Sequence, residues 1–215
     1  MKKKKANLNN DIRPEYDFAR MKGGVRGKYV TGMSKQRPSQ LALALRDKLL
    51  VRFTRPFEEG SVDGYVLNIG PRFFLIALIG EGIRLSGFQC FRLSDVRELW
   101  VPHKYARFYE AALKKRGERI PKKPPVSVHS LPELLLSANR AFPLVTIHRE
   151  KVDPDVCHIG RVIDMSKGYL SLLEIGPDAR WDKEPTKYRL SEITRVDFGG
   201  DYEEALHLVG GTVGR

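Results

Sequence analysis

The sequence predicts a mainly β protein with short helices, in which one compact unit, a helix followed by four or five short strands, occurs twice. Three observations carry this. Strand-sized runs rich in Val, Ile, Leu and aromatics recur between Gly, Pro, Asp and Asn breaks. The same residue types return in the same order in two stretches. The longest apolar run, Phe73–Ile79, has the length of a strand and falls well short of the roughly 18 residues of a membrane span. With 41% hydrophobic residues among 215, the chain has enough apolar side chains for a core, which excludes wholesale disorder.

The repeat is read residue by residue. The first copy holds Leu49–Thr54, Asp63–Leu67, Phe73–Leu78 and Phe91–Leu99; the second holds Pro143–His148, Ile159–Ile163, Tyr169–Leu173 and Tyr188–Val196. Gly64 precedes Arg92 by 28 positions and Gly160 precedes Arg189 by 29. Each copy closes with a similar tail, Tyr109–Leu113 and Tyr202–Leu206. A helix should open each unit, through Leu41, Ala42, Leu45 and Leu49 in the first and Leu131, Leu134, Leu135 and Ala138 in the second. Ser130 stands where a cap belongs, with Glu133 placed to reach back. So many short strands in 60–70 residues suggest a small closed or nearly closed barrel, with bends at the matching Gly64 and Gly160. Because Phe73–Ile79 is apolar at successive positions, both faces of that strand should be covered, one by the barrel and the other by a helix or the sister unit.

The order of helix, glycine-bearing strand, apolar third strand and final Arg-containing strand resembles the Sm-like fold, a small SH3-like barrel of RNA-binding proteins, over residues 38–113 and 130–206. The resemblance implies two duplicated Sm-like barrels and RNA as the ligand class. The predicted organisation is a flexible basic arm (1–36), a first unit (37–113), a basic Pro-rich connector (114–128), a second unit (129–208) and a Gly-rich tail (209–215).

The net charge of +12 is unevenly spread. Residues 1–50 carry +9, residues 51–100 none, residues 101–150 carry +6 and residues 151–215 carry −3. A basic arm and a basic connector beside neutral units point to a polyanionic partner. In the arm, Tyr16, Phe18 and Tyr29 alternate with Arg20, Lys22, Arg26 and Lys28, giving rings to stack and cations to pair on a glycine-rich backbone. In the connector the candidates are Lys114, Lys115, Arg116, Lys122 and Lys123. Residues 15–18 and 26–29 also resemble a short segment of bacterial antitoxins, which implies a peptide that docks on a protein. Nucleic-acid arm, partner peptide within residues 11–30 and inert tail all remain open for this segment. The strand edges of such units would also allow a homo-oligomer.

Catalytic patterns are missing. Gly80-Glu81-Gly82 is followed by Leu85 where a dinucleotide turn needs glycine, and neither a phosphate-binding loop nor a Gly-x-Ser-x-Gly elbow occurs. Cys157 and His158 adjoin on a strand and so point to opposite faces, which favours a buried thiol over a metal ligand. Asp153-Pro154-Asp155 reads as a turn. Arg92 and Arg189 either pair with a nearby acid such as Asp95 or Glu192 or line a ligand face. The expectation is therefore a protein without catalytic, cofactor or metal residues. Two cysteines, a polar segment after Met1–Lys5 and no membrane span suggest a cytoplasmic protein that binds RNA before DNA, or alternatively a protein partner.

Overall fold

A computed structural model describes residues 30–212, with side chains from residue 37. In chain order the first half comprises α1 (Val30–Asp47), β1 (Leu50–Phe53), β2 (Val62–Ile69), β3 (Phe73–Gly80), β4 (Arg84–Arg92), a 3-10 turn (Leu93–Asp95), β5 (Leu99–Trp100) and α2 (Ala106–Lys115). The second half comprises α3 (Leu131–Ala141), β6 (Val145–His148), β7 (Cys157–Ser166), β8 (Tyr169–Glu174), β9 (Thr186–Arg189), a 3-10 turn (Leu190–Glu192), β10 (Arg195–Phe198) and α4 (Asp201–Gly210). α1 begins inside the segment read from sequence as an arm. The repeated tails are the helices α2 and α4.

All ten strands form one antiparallel sheet, in the order β5-β1-β2-β3-β4-β10-β6-β7-β8-β9. In each half the last strand folds back onto the first, β5 on β1 and β10 on β6. Two closed barrels are not what the chain forms. β4 takes β10 of the other half as its neighbour, so the sheet runs continuously through the junction and stays open at β5 and β9.

The matching glycines hold matching places. Gly64 faces Val51 and Leu78, Gly160 faces Val145 and Glu174, and a bulge follows each, at Val66/Asn68 and at Val162/Asp164. Neither glycine has a positive φ; what demands glycine is close approach of the next strand. A Cβ on Gly160 would lie 2.0 Å from the Leu173 carbonyl oxygen, and one on Gly64 would lie 2.5 Å from that of Ala77.

β3 is covered on both faces, as its uninterrupted apolar run requires. Phe74 and Ile76 face a core with Leu41 and Ala44 of α1, where Phe53, Phe74 and Phe91 meet at centroid distances of 5.1–5.8 Å. Burying each of these rings contributes about 1.5–3 kcal/mol. Phe73 and Leu75 face the larger core, built with Leu134, Leu135 and Ala138 of α3 and with Val196 and Phe198 of β10. The connector joins it: Val126 and Val128 are buried there, so its second part is a packed strap. α3 starts as its sequence indicates, with the Glu133 N–H donating to Ser130 Oγ at 3.3 Å. The Glu133 carboxylate accepts from the hydroxyls of Ser130 and Ser127 instead of reaching the Ser130 amide.

Candidate nucleic-acid interface

The junction holds a mostly buried charge network. The Arg55 guanidinium is completely buried; it donates to Glu58 at 2.9 Å and to Glu150 of the second half. Arg195 bonds Glu58 at 3.0 Å and Asp197 at 3.1 Å. Burial alone would raise the Asp197 pKa, but Arg195 and His148 hold it below the ordinary carboxylate range. Arg55 Nε, Glu58 Oε2, Arg195 Nε and Asp197 Oδ1 are buried without a hydrogen-bond partner, but the pairs Arg55–Glu150 and Arg195–Glu58 each join one half to the other, which makes this network a clamp between the halves.

Register places Cys157 opposite His148, whose Nε2 lies 2.9 Å from Asp197 Oδ2. Cysteine, histidine and aspartate therefore share one region. Their geometry does not make a nucleophile, because His148 Nε2 is engaged by Asp197 and Arg195 and no hydrogen bond joins it to the thiol. Partial burial and the Asp197 charge push the Cys157 pKa up, away from thiolate. The thiol is exposed, against the sequence expectation, because His148 is the last residue of β6 and Cys157 the first of β7, at the sheet margin. Among the described residues, no cluster of three or more His, Cys, Asp or Glu side chains is arranged to hold a metal ion.

Of the two expectations for Arg92 and Arg189, pairing with the nearby acid is not what the side chains do. Arg92 Nη2 donates across the junction to the Ser191 carbonyl at 3.0 Å and to that of Ile193, and Arg189 Nε donates to the Tyr169 hydroxyl at 3.2 Å. Neither meets Asp95 or Glu192, because each ends its strand beside a 3-10 turn that directs the following acid elsewhere. At the junction Arg92 forms one wall of a groove of about 580 Å³, which the β2–β3 turn supplies with Pro71 and Arg72 and the start of α3 with Leu131 and Pro132. The lining has no carboxylate and two guanidinium groups, of which Arg92 is held by the two carbonyls and Arg72 is exposed, the one that could meet an anion.

Of the residues singled out from sequence, Tyr16, Phe18, Arg20, Lys22, Arg26, Lys28 and Tyr29 lie outside the described residues. Lys114 and Lys115 form the exposed last turn of α2, and Lys122 and Lys123 are exposed in the connector. Arg116 has a different role: its Nη1 donates to the carbonyls of Gly82 and of Ile83, the latter at 2.9 Å, tying α2 to the β3–β4 hairpin. From these lysines the chain runs past Gly70, where a Cβ would lie 2.1 Å from the Val128 carbonyl oxygen, and reaches the groove at Leu131. The connector thus links α2 to the groove along the chain, with no Lys or Arg between Lys123 and Leu131.

Sequence reasoning missed the beginning of α2. Lys104, Arg107 and two exposed rings, Tyr105 and Phe108, sit there. The available signal was helical spacing: Ala106, Tyr109 and Leu113 face the core, so Phe108, Ala111 and Lys115 face water. Comparison of the chain with family models, curated proteins and solved structures finds no match.

Proposed function

We propose that the protein is a non-enzymatic nucleic-acid-binding module, taking RNA before DNA, on a scaffold of two Sm-like units. The observation that supports this reading is the cluster of exposed cations around α2 and at the start of the connector, Lys104, Arg107, Lys114, Lys115, Lys122 and Lys123. Between residues 103 and 123 stand eight Lys or Arg against two carboxylates, and one of these, Glu118, is engaged by the Leu85 N–H at 2.6 Å. The equivalent helix α4 carries Asp201, Glu203 and Glu204 and neither Lys nor Arg. A phosphate chain is therefore attracted to α2 and repelled from α4.

The test is fluorescence anisotropy of a labelled single-stranded RNA across salt concentrations. Each phosphate contact contributes about 0.7 to the slope of log affinity against log salt. Replacing Lys114, Lys115, Lys122 and Lys123 with Gln flattens the slope by up to about 2.8. Arg116→Gln changes it little, since that side chain already holds two carbonyls. No binding at low salt, or a slope indifferent to the four lysines, refutes the reading.

A further inference from the structure

Trp100, Tyr105 and Phe108 are three of the five exposed aromatic side chains among the described residues, and they fall within nine positions. Tyr105 is 53% and Phe108 63% exposed. Apolar rings so open to water cost free energy unless something covers them. Cations surround these two. Lys104 Nζ lies 5.3 Å from the Tyr105 ring centre, Arg107 follows, and Lys115 stands two turns beyond Phe108 on the same stripe of α2.

The support beneath the rings is rigid. His103 is buried, and its Nδ1 accepts the Tyr105 N–H at 3.0 Å. Its backbone N–H donates to the Leu50 carbonyl at 3.1 Å, which fastens the start of α2 to β1. Tyr109, beside Phe108, packs edge-on against His103 at 4.9 Å and accepts from Arg52 at 3.2 Å. The backbone that carries the two rings is thus fixed, and less order has to be gained there when a ligand stacks on them.

We infer that Tyr105 and Phe108 form a stacking platform for unpaired bases of single-stranded nucleic acid, with Lys104, Arg107 and Lys115 holding the adjoining phosphates. The inference rests on the nucleic-acid reading and adds which face of the polymer is recognised. Charge selects the occupant: an apolar protein surface would leave the lysines uncovered, a duplex keeps its base faces stacked inside, and a single strand offers both flat rings and phosphates.

The experiment compares a labelled, unstructured RNA of about 12 nucleotides, an abasic oligomer of the same length and a duplex, using the full chain throughout. The parent protein binds the base-bearing strand more tightly than the abasic one. Tyr105→Ala and Phe108→Ala each weaken the base-bearing strand about ten-fold and leave the abasic oligomer, the duplex and the salt slope unchanged. Phe108→Leu, which keeps apolar bulk without a π face, shows the same loss. Unchanged urea midpoints for the variants show that the fold is intact. Equal parental affinity for base-bearing and abasic strands, equal losses on both, or full binding by Phe108→Leu overturns the platform while leaving the nucleic-acid reading in place. Absence of binding to every probe at low salt overturns both.

Discussion

Replacing Glu150 with Gln leaves the Arg55 guanidinium, completely buried, with one carboxylate where it had two. Breaking a buried ion pair from one side costs about 3–5 kcal/mol, because the remaining charge stays in a poorly solvating site. Here the lower end applies. Glu58 remains at 2.9 Å, and the guanidinium carbon lies 4.6 Å from the Phe91 ring centre and 5.2 Å from that of Phe57. Arg195, 3.6 Å from Glu150, keeps Glu58 and Asp197. The expected loss is therefore about 3 kcal/mol, or a fall in Tm of about 6–12 °C for a chain of this size. The pair Arg55→Met with Glu150→Leu recovers most of it, since both desolvation costs disappear together.

Urea denaturation of the full chain measures this. Trp100 reports on the first half and Trp181 on the second, so single-tryptophan versions follow each half separately. Their transitions coincide in the parent and separate in Glu150→Gln, because Arg55 and Glu150 join the β1–β2 loop to the end of β6. A loss below about 0.5 kcal/mol, as for an ordinary surface substitution, would refute the view that this network clamps the halves.

Two further outcomes follow from packing and titration. Gly64→Ala and Gly160→Ala each lose about 1–3 kcal/mol in urea denaturation, with the larger loss at Gly160, where the added carbon meets backbone at 2.0 Å against 2.5 Å at Gly64; parental stability for both sinks the close-approach argument. Burial pushes the His103 pKa down, and the nearby Asp63 only partly offsets this. The unfolded chain therefore takes up the proton more readily, and stability falls as pH drops below about 6.5, by at most about 1.4 kcal/mol per pH unit. His103→Asn keeps an acceptor for the Tyr105 N–H and removes that component; identical Tm-against-pH curves for parent and variant between about pH 5 and 7 would show that His103 does not titrate on unfolding.

Local features were legible where local chemistry decides them. The repeat was visible because matching strands need the same residues at the same points: a glycine where the neighbouring strand comes close, and an apolar run where both faces are covered. The cap at Ser130 was visible because a hydroxyl before a helix has few other uses. The neighbour of β4 was not visible. An antiparallel edge carries no mark of which strand completes it, and the pairing of Cys90 with Val196 is a choice made by the cores on either side. For the same reason Arg92 looked like a partner for Asp95 and instead binds carbonyls of the other half. At the candidate interface, the lysines after α2 were legible as charge. The rings before them were not, because exposure of Tyr105 and Phe108 depends on which face of α2 meets the core.

The junction between halves is made once, and the residues that make it are missing from the two free edges. On β4, Cys90 lies opposite Leu75 and fits the large core; on β9 the position opposite Ser171 is Lys187, exposed to water. Pairing β9 with a further strand in the manner of β4 would carry that ammonium toward a core, with a desolvation cost that the thiol of Cys90 avoids. Pro185, immediately before β9, has no N–H to extend the ladder, and β5 has only two residues to pair. A repeated unit that shares one sheet thus gains a partner within the chain, with Lys187 and Pro185 guarding the β9 edge and shortness guarding the β5 edge. The proposed ligand would meet the basic, aromatic face of α2, where contact is made by side chains and not by strand addition.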